Sequence, residues 1–414
     1  MHPHPDILVI GAGPAGLMAA LSAAEAGARV LVLERLNKPG TKLLATGGGR
    51  CNLTNVLAPE QLMPCFGRQG RFMAPALRAL DNLQLLETLR QLGVEAHCAD
   101  GFHWFPVAES AAVVQQALWQ RCEELGVDFR FGCQVQQLEF EAGKLVGVID
   151  SHGNKVPGRR AILAGGGKSW PGLGSDGSGL QLAAGIGLAV TPTYPGLVPI
   201  VVGESWVASC AGIVFEEAEV WIDFPKLRGE RTRGPLLFTH RGLSGPAILD
   251  LSGRIAALLA TMPEVPIRIR WQPAPAAAAW RERFDAWRRE HGAKMVRNLL
   301  DQNLPGSFAA AIAVACGLGD TRAAGLTSEQ AGRLAECLAE CPLHAIDTEG
   351  FAKSMVTHGG IALKEIDPGT LECKRRPGLF VAGEIVDLDG PCGGYNLQWA
   401  FSSGRLAGLS AARP

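Results

Sequence analysis

The most constraining stretch of this sequence is its beginning. A short apolar run, DILVI (6–10), leads into Gly11-Ala12-Gly13-Pro14-Ala15-Gly16. A helical pattern runs on to Gly27, and a second apolar run, 30–33, ends in Glu34 and Arg35. The order is strand, G-x-G-x-x-G, helix, strand, acid. Gly11 permits the tight turn, Gly13 lets the backbone approach a pyrophosphate, and Gly16 lets helix and strand pack closely. Pro14 and Ala15 open the helix, whose N-terminus offers N–H groups and partial positive charge to phosphates. Glu34 lies about twenty residues on, where an acid accepts from ribose hydroxyls. The unit therefore predicts a bound dinucleotide, and the acid favours FAD or NAD over NADP.

Composition agrees with a folded protein of two or three domains. Of the 414 residues, 47% are hydrophobic and 19% charged, which supports a large core and excludes disorder. A net charge of −1 gives no global attraction to nucleic acid or anionic membrane. The eleven cysteines contain no C-x-x-C, which argues against a dithiol reductase or a zinc ribbon, so no metal is expected. A reduced, cytoplasmic setting is the simplest expectation. MHPHPDILVIGAG lacks a basic start and a cleavage site, so a signal peptide is not expected. No run of about 18 apolar residues is present, so no membrane span is expected.

Two later segments decide between FAD and NAD. One is a strand running into glycines, Arg160 to Ala164-Gly165-Gly166-Gly167, with Val135 counted beside it. The other is GLFVAGEIVD (378–387), followed by Gly393-Gly394-Tyr395-Asn396-Leu397-Gln398. FAD is long and needs a second cradle for its ribityl and isoalloxazine end. A strand ending in Gly383-Glu384 and a helix N-terminus after Gly393-Gly394 supply one.

Taken together, GAGPAG (11–16), GGGRCNLTN (47–55), LLFTHRGLSGP (236–246), VTHGGIALKEIDPGTLECK (356–374) and GLFVAGEIVDLDGPCGGYNLQWAFSSG (378–404) carry a resemblance. The chain resembles the BaiN-like (YhiN-like) bacterial flavoproteins, some described as aminoacetone oxidases. The resemblance implies an α/β chain with a Rossmann-type FAD-binding domain of the glutathione reductase-like superfamily, interrupted by a β-barrel and a small helical domain. The expected domains are 1–192 and 350–414 for FAD, 193–271 for the barrel and 272–349 for the helices. One departure is that Gly165 stands where the family usually has Thr. The other is that Val107-Ala108-Glu109-Ser110 follow Phe105-Pro106, where the family often has Ser and Lys.

In such a fold the loop with GGGRCNLTN passes beneath the pyrophosphate toward the flavin. Gly48 and Gly49 let the main chain pass against the cofactor. Arg50 brings charge to the pyrophosphate or the flavin N1–C2 edge, where negative charge develops on reduction. Asn52 and Asn55 fix the loop or bond flavin carbonyls. Cys51 reads as a small residue beside the cofactor rather than a redox thiol or attachment point, so the FAD is expected to be non-covalent.

The middle of the chain has another texture. LVPIVV, IVFEEAEVWI, PLLFT and VPIRIRW alternate like a small antiparallel sheet or barrel, and 273–344 reads as helical, with Thr327 able to cap one helix. Ser244-Gly245-Pro246 reads as a helix start. Residues 221–300 hold fourteen Lys and Arg against seven Asp and Glu, which reads as solvated helix faces or, alternatively, a surface for an anionic partner such as RNA. His240, at a strand end, is the candidate base or substrate anchor, against a reading in which it holds the turn. His358 is expected to point away from the flavin, and Trp104 and Tyr395 to line the pocket or pack in the core. The insert lacks another G-x-G-x-x-G, so NAD(P)H, if it is the donor, docks directly at the flavin. Three functions stay open on sequence: oxidase or dehydrogenase of a small molecule, NAD(P)H-dependent reductase, and flavin-bearing RNA-modifying or RNA-binding protein.

Overall fold

A computed structural model of the chain describes residues 5–271 and 275–413. The helical reading begins at PAPAAAAW (273–280), of which residues 273–274 lie outside the described residues. The chain divides into two compact units. One comprises residues up to Tyr194 together with those from Met355; the other is Pro195–Ser354. Among the described residues no helix is long and apolar enough to cross a membrane.

The first unit is built on a parallel sheet. Its strands are β1 (Ile7–Ile10), β2 (Val30–Leu33), β3 (Asp128–Arg130), β4 (Arg160–Leu163) and β5 (Leu379–Val381), in the spatial order β5-β4-β1-β2-β3. ILVI and LFV are buried at every position, as expected for strands covered on both faces. β3, at the edge, keeps two exposed residues. The chain reverses direction across the sheet between β1 and β4, the arrangement that places a crevice at the carboxyl ends of the strands.

Helix α1 (Pro14–Glu25) crosses behind the sheet and packs against the last helix, α2 (Tyr395–Ala412). Their small residues set the distance. A Cβ on Gly404 would lie 2.4 Å from the Ala15 carbonyl oxygen, and one on Gly408 would lie 2.4 Å from that of Ala19. The i, i+4 glycine pair is a groove cut into α2 for the backbone of α1. In this way the C-terminal helix supports the turn that opens the chain.

The second unit contains, among the described residues, a closed barrel of six antiparallel strands: Ile200–Val202, Gly242–Ser244, Arg231–Phe238, Val214–Ile222, Val265–Trp271 and Cys341–Thr348, in that order around it. VPIRIRW shows the pattern plainly, burying Val265, Ile267, Ile269 and Trp271 while Arg268 and Arg270 face outward. The last strand lies largely within the segment read as helical. CPLHAIDT is too short a run for its alternation to stand out, but it pairs with Val265–Trp271 and Ile200–Val202 and so removes both sheet edges. The helices share the barrel's core: Phe308, on helix Gly306–Ala315, meets Trp271 edge-on at 4.9 Å. Thr327 caps the helix Ser328–Ala339 in a reciprocal box with Gln330, and Pro246 starts the helix Pro246–Leu259.

Several arginines of the basic stretch 221–300 are ion-paired within the unit. Glu219 accepts from Arg231 and Arg233 and pairs with Arg270; Asp223 holds Arg228 and Arg268. Burial raises the Glu219 carboxyl, but the Arg233 and Arg231 hydrogen bonds outweigh it and leave the group below its ordinary value. Each such pair weakens the local field that a polyanion would sense.

Candidate functional site

The carboxyl ends of β1, β2, β4 and β5 collect nearly all the candidate residues. At the β1–α1 turn the three glycines have different reasons to be glycine. Gly11 (φ +100°) has the Ala164 carbonyl oxygen 2.7 Å from where a Cβ would lie, and on Gly16 a Cβ would lie 1.9 Å from Gly11 O. Both are demanded by packing. Gly13 is in ordinary extended backbone, and a Cβ there would meet nothing within 4 Å. Nothing in the protein requires glycine at this position, and its face of the backbone is clear. Pro14 occupies the first turn of α1, where its missing N–H costs nothing, and Ala15 and Gly16 follow with N–H groups that have no acceptor within the helix.

Glu34, 8% exposed, is held in place by backbone donors. Its Oε2 accepts from Ala12 N at 2.7 Å and its Oε1 from Leu36 N at 2.8 Å. The acid thereby braces the glycine turn, while each oxygen retains a further lone pair. Arg35 pairs with Asp176, which also caps Ser178 N at 3.0 Å. Val135 opens a hairpin strand, Val135–Glu141, two residues beyond Cys133, whose N–H donates to Glu34 O at 2.9 Å.

The stretch 47–52 turns on positive φ angles at Gly47, Gly48, Gly49 and Cys51. A Cβ on Gly48 would meet nothing within 4 Å, which again leaves one face of the backbone clear. Asn52, with its amide oriented by its neighbours, donates to Thr54 O at 3.1 Å and accepts from Gly394 N at 3.3 Å. Asn55 donates to Gly393 O at 2.9 Å. A Cβ on Gly394 would lie 2.6 Å from the Thr54 carbonyl carbon. Two glycine loops 338 residues apart in sequence are thus stitched together. Asn396 ties the second loop to itself, its Oδ1 accepting from Gly390 N and its Nδ2 donating to Gly390 O, each at 2.9 Å.

The remaining candidates take different surroundings. Arg50 lies 4.6 Å over the Phe105 ring and pairs with Glu109 at 3.5 Å. Gln398 is fully buried in α2, where its amide donates to Leu80 O and Ser402 Oγ; Leu397 beside it is half-buried. Ala164, Gly165 and Gly166 continue β4, and Gly165 lies against Gly179. His240 belongs to the second unit and is exposed. Its turn is held by Thr239, whose hydroxyl accepts from Gly242 N at 3.0 Å.

Cys51 is 0% exposed, and burial pushes its thiol up to about 12. A thiol so protonated is neither nucleophile nor redox group at neutral pH. Cys51→Ala is therefore expected to keep at least half of the bound flavin. Denaturing the unsubstituted protein is expected to release all of it, as read by absorbance after ultrafiltration. Flavin retained on the denatured chain would overturn this reading.

The geometry also joins residues that spacing did not single out. Glu384 accepts from Thr357 N at 2.9 Å, from Ser169 Oγ at 2.5 Å and from Lys42 Nζ at 2.5 Å. Lys42 stands between Gly40 and the glycine loop, and its place in a glycine-rich loop was the available signal. Two histidines lie near the C-terminal glycine loop. His358 Nδ1 is 2.9 Å from Asp389 Oδ1, and His103 Nδ1 is 2.6 Å from Asp100 Oδ2. The His103 backbone and side-chain hydrogen bonds hold the Asp100 carboxyl far below its ordinary value. A Cβ on Gly393 would fall 3.0 Å from His103 Nε2. In each pair the carboxylate contacts one ring nitrogen and fixes the orientation of the imidazole.

A protein-family model described as the HI0933-like protein Rossmann domain matches residues 5–410. The chain belongs to the HI0933-like family. Over 412 residues this HI0933-like chain is 33% identical to the 3-dehydro-bile acid delta(4,6)-reductase of Clostridium scindens, covering 98% of each. It is 30% identical over 411 residues to the ribosomal RNA dihydrouridine synthase of Escherichia coli, covering 96% of each. A solved 3-ketosteroid-delta4-(5alpha)-dehydrogenase from Rhodococcus jostii RHA1 superposes with a TM-score of 0.53 at 20% identity, over 100% of this chain and 98% of that one, a likeness of fold. The HI0933-like chain is an FAD-dependent oxidoreductase. The clear faces of Gly13 and Gly48 and the braced acid Glu34 fit FAD laid along the strand ends.

Proposed function

We propose that this protein reduces a carbon–carbon double bond conjugated to a carbonyl in a small molecule, with NAD(P)H as donor. The supporting observation is full-length similarity to two relatives whose named reactions share this chemistry. A 3-dehydro-delta(4,6) bile acid is a conjugated dienone, and making dihydrouridine saturates the uracil double bond next to a carbonyl. FAD, when bound, supplies a hydride at its N5. The chain supplies the rest. The β1–α1 turn and Gly48 position the cofactor, and Asn52 and Asn55 hold the two glycine loops in register. His358 with Asp389, or His103 with Asp100, provides the proton that the carbon next to the carbonyl must receive. His240 is retained as a candidate anchor for substrate.

The test is a visible spectrum of the holoprotein, followed by anaerobic NADH or NADPH and then a 3-oxo-Δ4 steroid. Fast bleaching by the nicotinamide and recovery of colour on adding the enone are expected. Bleaching that recovers only with oxygen, with peroxide formed, would replace this reading with an oxidase. Recovery with a uridine-containing RNA and not with the enone would favour the RNA-modifying alternative, against which the ion pairing of 221–300 counts.

A further inference from the structure

The second unit contains a cleft of about 520 Å³ whose lining includes two thiols, Cys316 and Cys337, with Arg268, Arg333 and Glu336. The fold brings the thiols there from separate helices. Cys316 is the residue that ends the helix Gly306–Ala315. Cys337 lies on the helix Ser328–Ala339, one position before the buried Leu338 and three after the buried Leu334, so it flanks the apolar stripe. Both are half-buried free thiols that line the same cleft. A third thiol, Cys341, begins the neighbouring barrel strand, but complete burial holds it protonated.

The pair is electrically asymmetric. The neighbouring Cys316 thiol favours a Cys337 thiolate and outweighs burial and the nearby Glu336; Arg268 and Arg333 add to it. Cys337 is thereby lowered, while Cys316 is raised. One thiol is biased toward the thiolate and its neighbour on the same cleft toward the protonated form. Reactive dithiols share this division between an attacking and a resolving sulfur.

We propose that Cys337 and Cys316 form a peroxide-responsive dithiol that closes reversibly to a disulfide across this cleft. In the first step the Cys337 thiolate attacks one oxygen of hydrogen peroxide. The O–O bond breaks, the departing hydroxide takes a proton to leave as water, and Cys337 becomes a sulfenic acid. In the second step Cys316 sulfur attacks Cys337 sulfur. The S–S bond forms, the S–O bond breaks, and the hydroxyl leaves as a second water with the Cys316 proton. The two sulfurs lose two electrons and the peroxide gains them. A dithiol reductant reverses the bond.

A lowered Cys337 thiol is more ionised at pH 7 than an ordinary thiol, which is only about 3% ionised there. Its weaker intrinsic nucleophilicity offsets part of that gain without cancelling it. The exposed Cys65 is the internal comparison. The full-length holoprotein is treated with stoichiometric hydrogen peroxide at pH 7, the remaining thiols are alkylated, and peptides are mapped over time. The expected result is a 316–337 cross-link that loses two hydrogens, forms faster than Cys65 oxidises, and disappears with dithiothreitol. In C316S the cross-link is lost and a sulfenic acid is trapped at Cys337 by dimedone. The proposal fails if both thiols stay alkylatable when Cys65 is already oxidised. It also fails if Cys337 passes to sulfinic acid without a cross-link, or if the cross-link runs to Cys341. The unsubstituted protein decides each of these, so a misfolded variant would not obscure the answer.

Discussion

Gly13→Val is expected to give a folded protein that carries no flavin. Gly13 has φ −71° and ψ −176°, a conformation valine adopts without strain. A Cβ there touches no protein atom within 4 Å, so the substitution removes nothing from the core. Its branched side chain instead occupies the side of the turn where a pyrophosphate must approach the backbone. Affinity for FAD should fall by at least about 100-fold, or about 2.7 kcal/mol. The readout is the ratio of visible flavin to protein absorbance, together with the far-ultraviolet circular dichroism and melting temperature of the flavin-free protein. Unchanged flavin content would show that the cofactor does not lie over this turn. A collapse of the flavin-free fold would mean that glycine serves packing here, as it does at Gly16, whose Cβ would overlap the Gly11 carbonyl at 1.9 Å.

The second large effect is one of stability. Gly404→Val places a Cβ 2.4 Å from the Ala15 carbonyl oxygen and 3.1 Å from its carbon. Neither atom belongs to a flexible side chain, so α2 must move off α1. Overpacking of this kind costs about 3 kcal/mol. It also displaces the first turn of α1, which carries Ala15 and Gly16. The expected result is a fall of about 6–12 °C in the melting transition of the flavin unit and partial loss of bound flavin. Calorimetry of the variant, with the flavin ratio measured alongside, checks this. An unchanged melting temperature would sink the claim that the Gly404 and Gly408 groove sets the distance between the helices.

These two glycines differ in how visible they are from sequence. Gly13 belongs to a motif whose parts all fall within about thirty residues, so spacing alone assigns it a role. Gly404 and Gly408 form an ordinary small-residue pair within a helix, and their partner, α1, lies almost 400 positions away. The same contrast runs through the site. Glu34 was legible because it ends the strand after the glycine turn. Its use in bracing that turn through Ala12 N and Leu36 N was not, since backbone donors leave no mark in composition. Cys51 read as a small residue beside the cofactor, and its burial agrees with an inert thiol. His358 read as pointing away; its pairing with Asp389 places it at the C-terminal glycine loop's leading end.

What the sequence determined by itself is the set of local units: the strand, turn, helix, strand and acid at the start, the capped helix after Thr327, and the alternation of VPIRIRW. In each case the interactions that stabilise the element join residues a few positions apart, so their pattern is written along the chain. Tertiary structure alone decided the Lys42–Glu384–Ser169 cluster, the stitching of Asn55 to Gly393, the closing of the barrel by Cys341–Thr348 and the meeting of Cys316 with Cys337. Their partners are distant in sequence and share no period. What selects them is burial: a carboxylate, an amide or a strand edge removed from water must find its donor or acceptor in whatever part of the chain packs beside it.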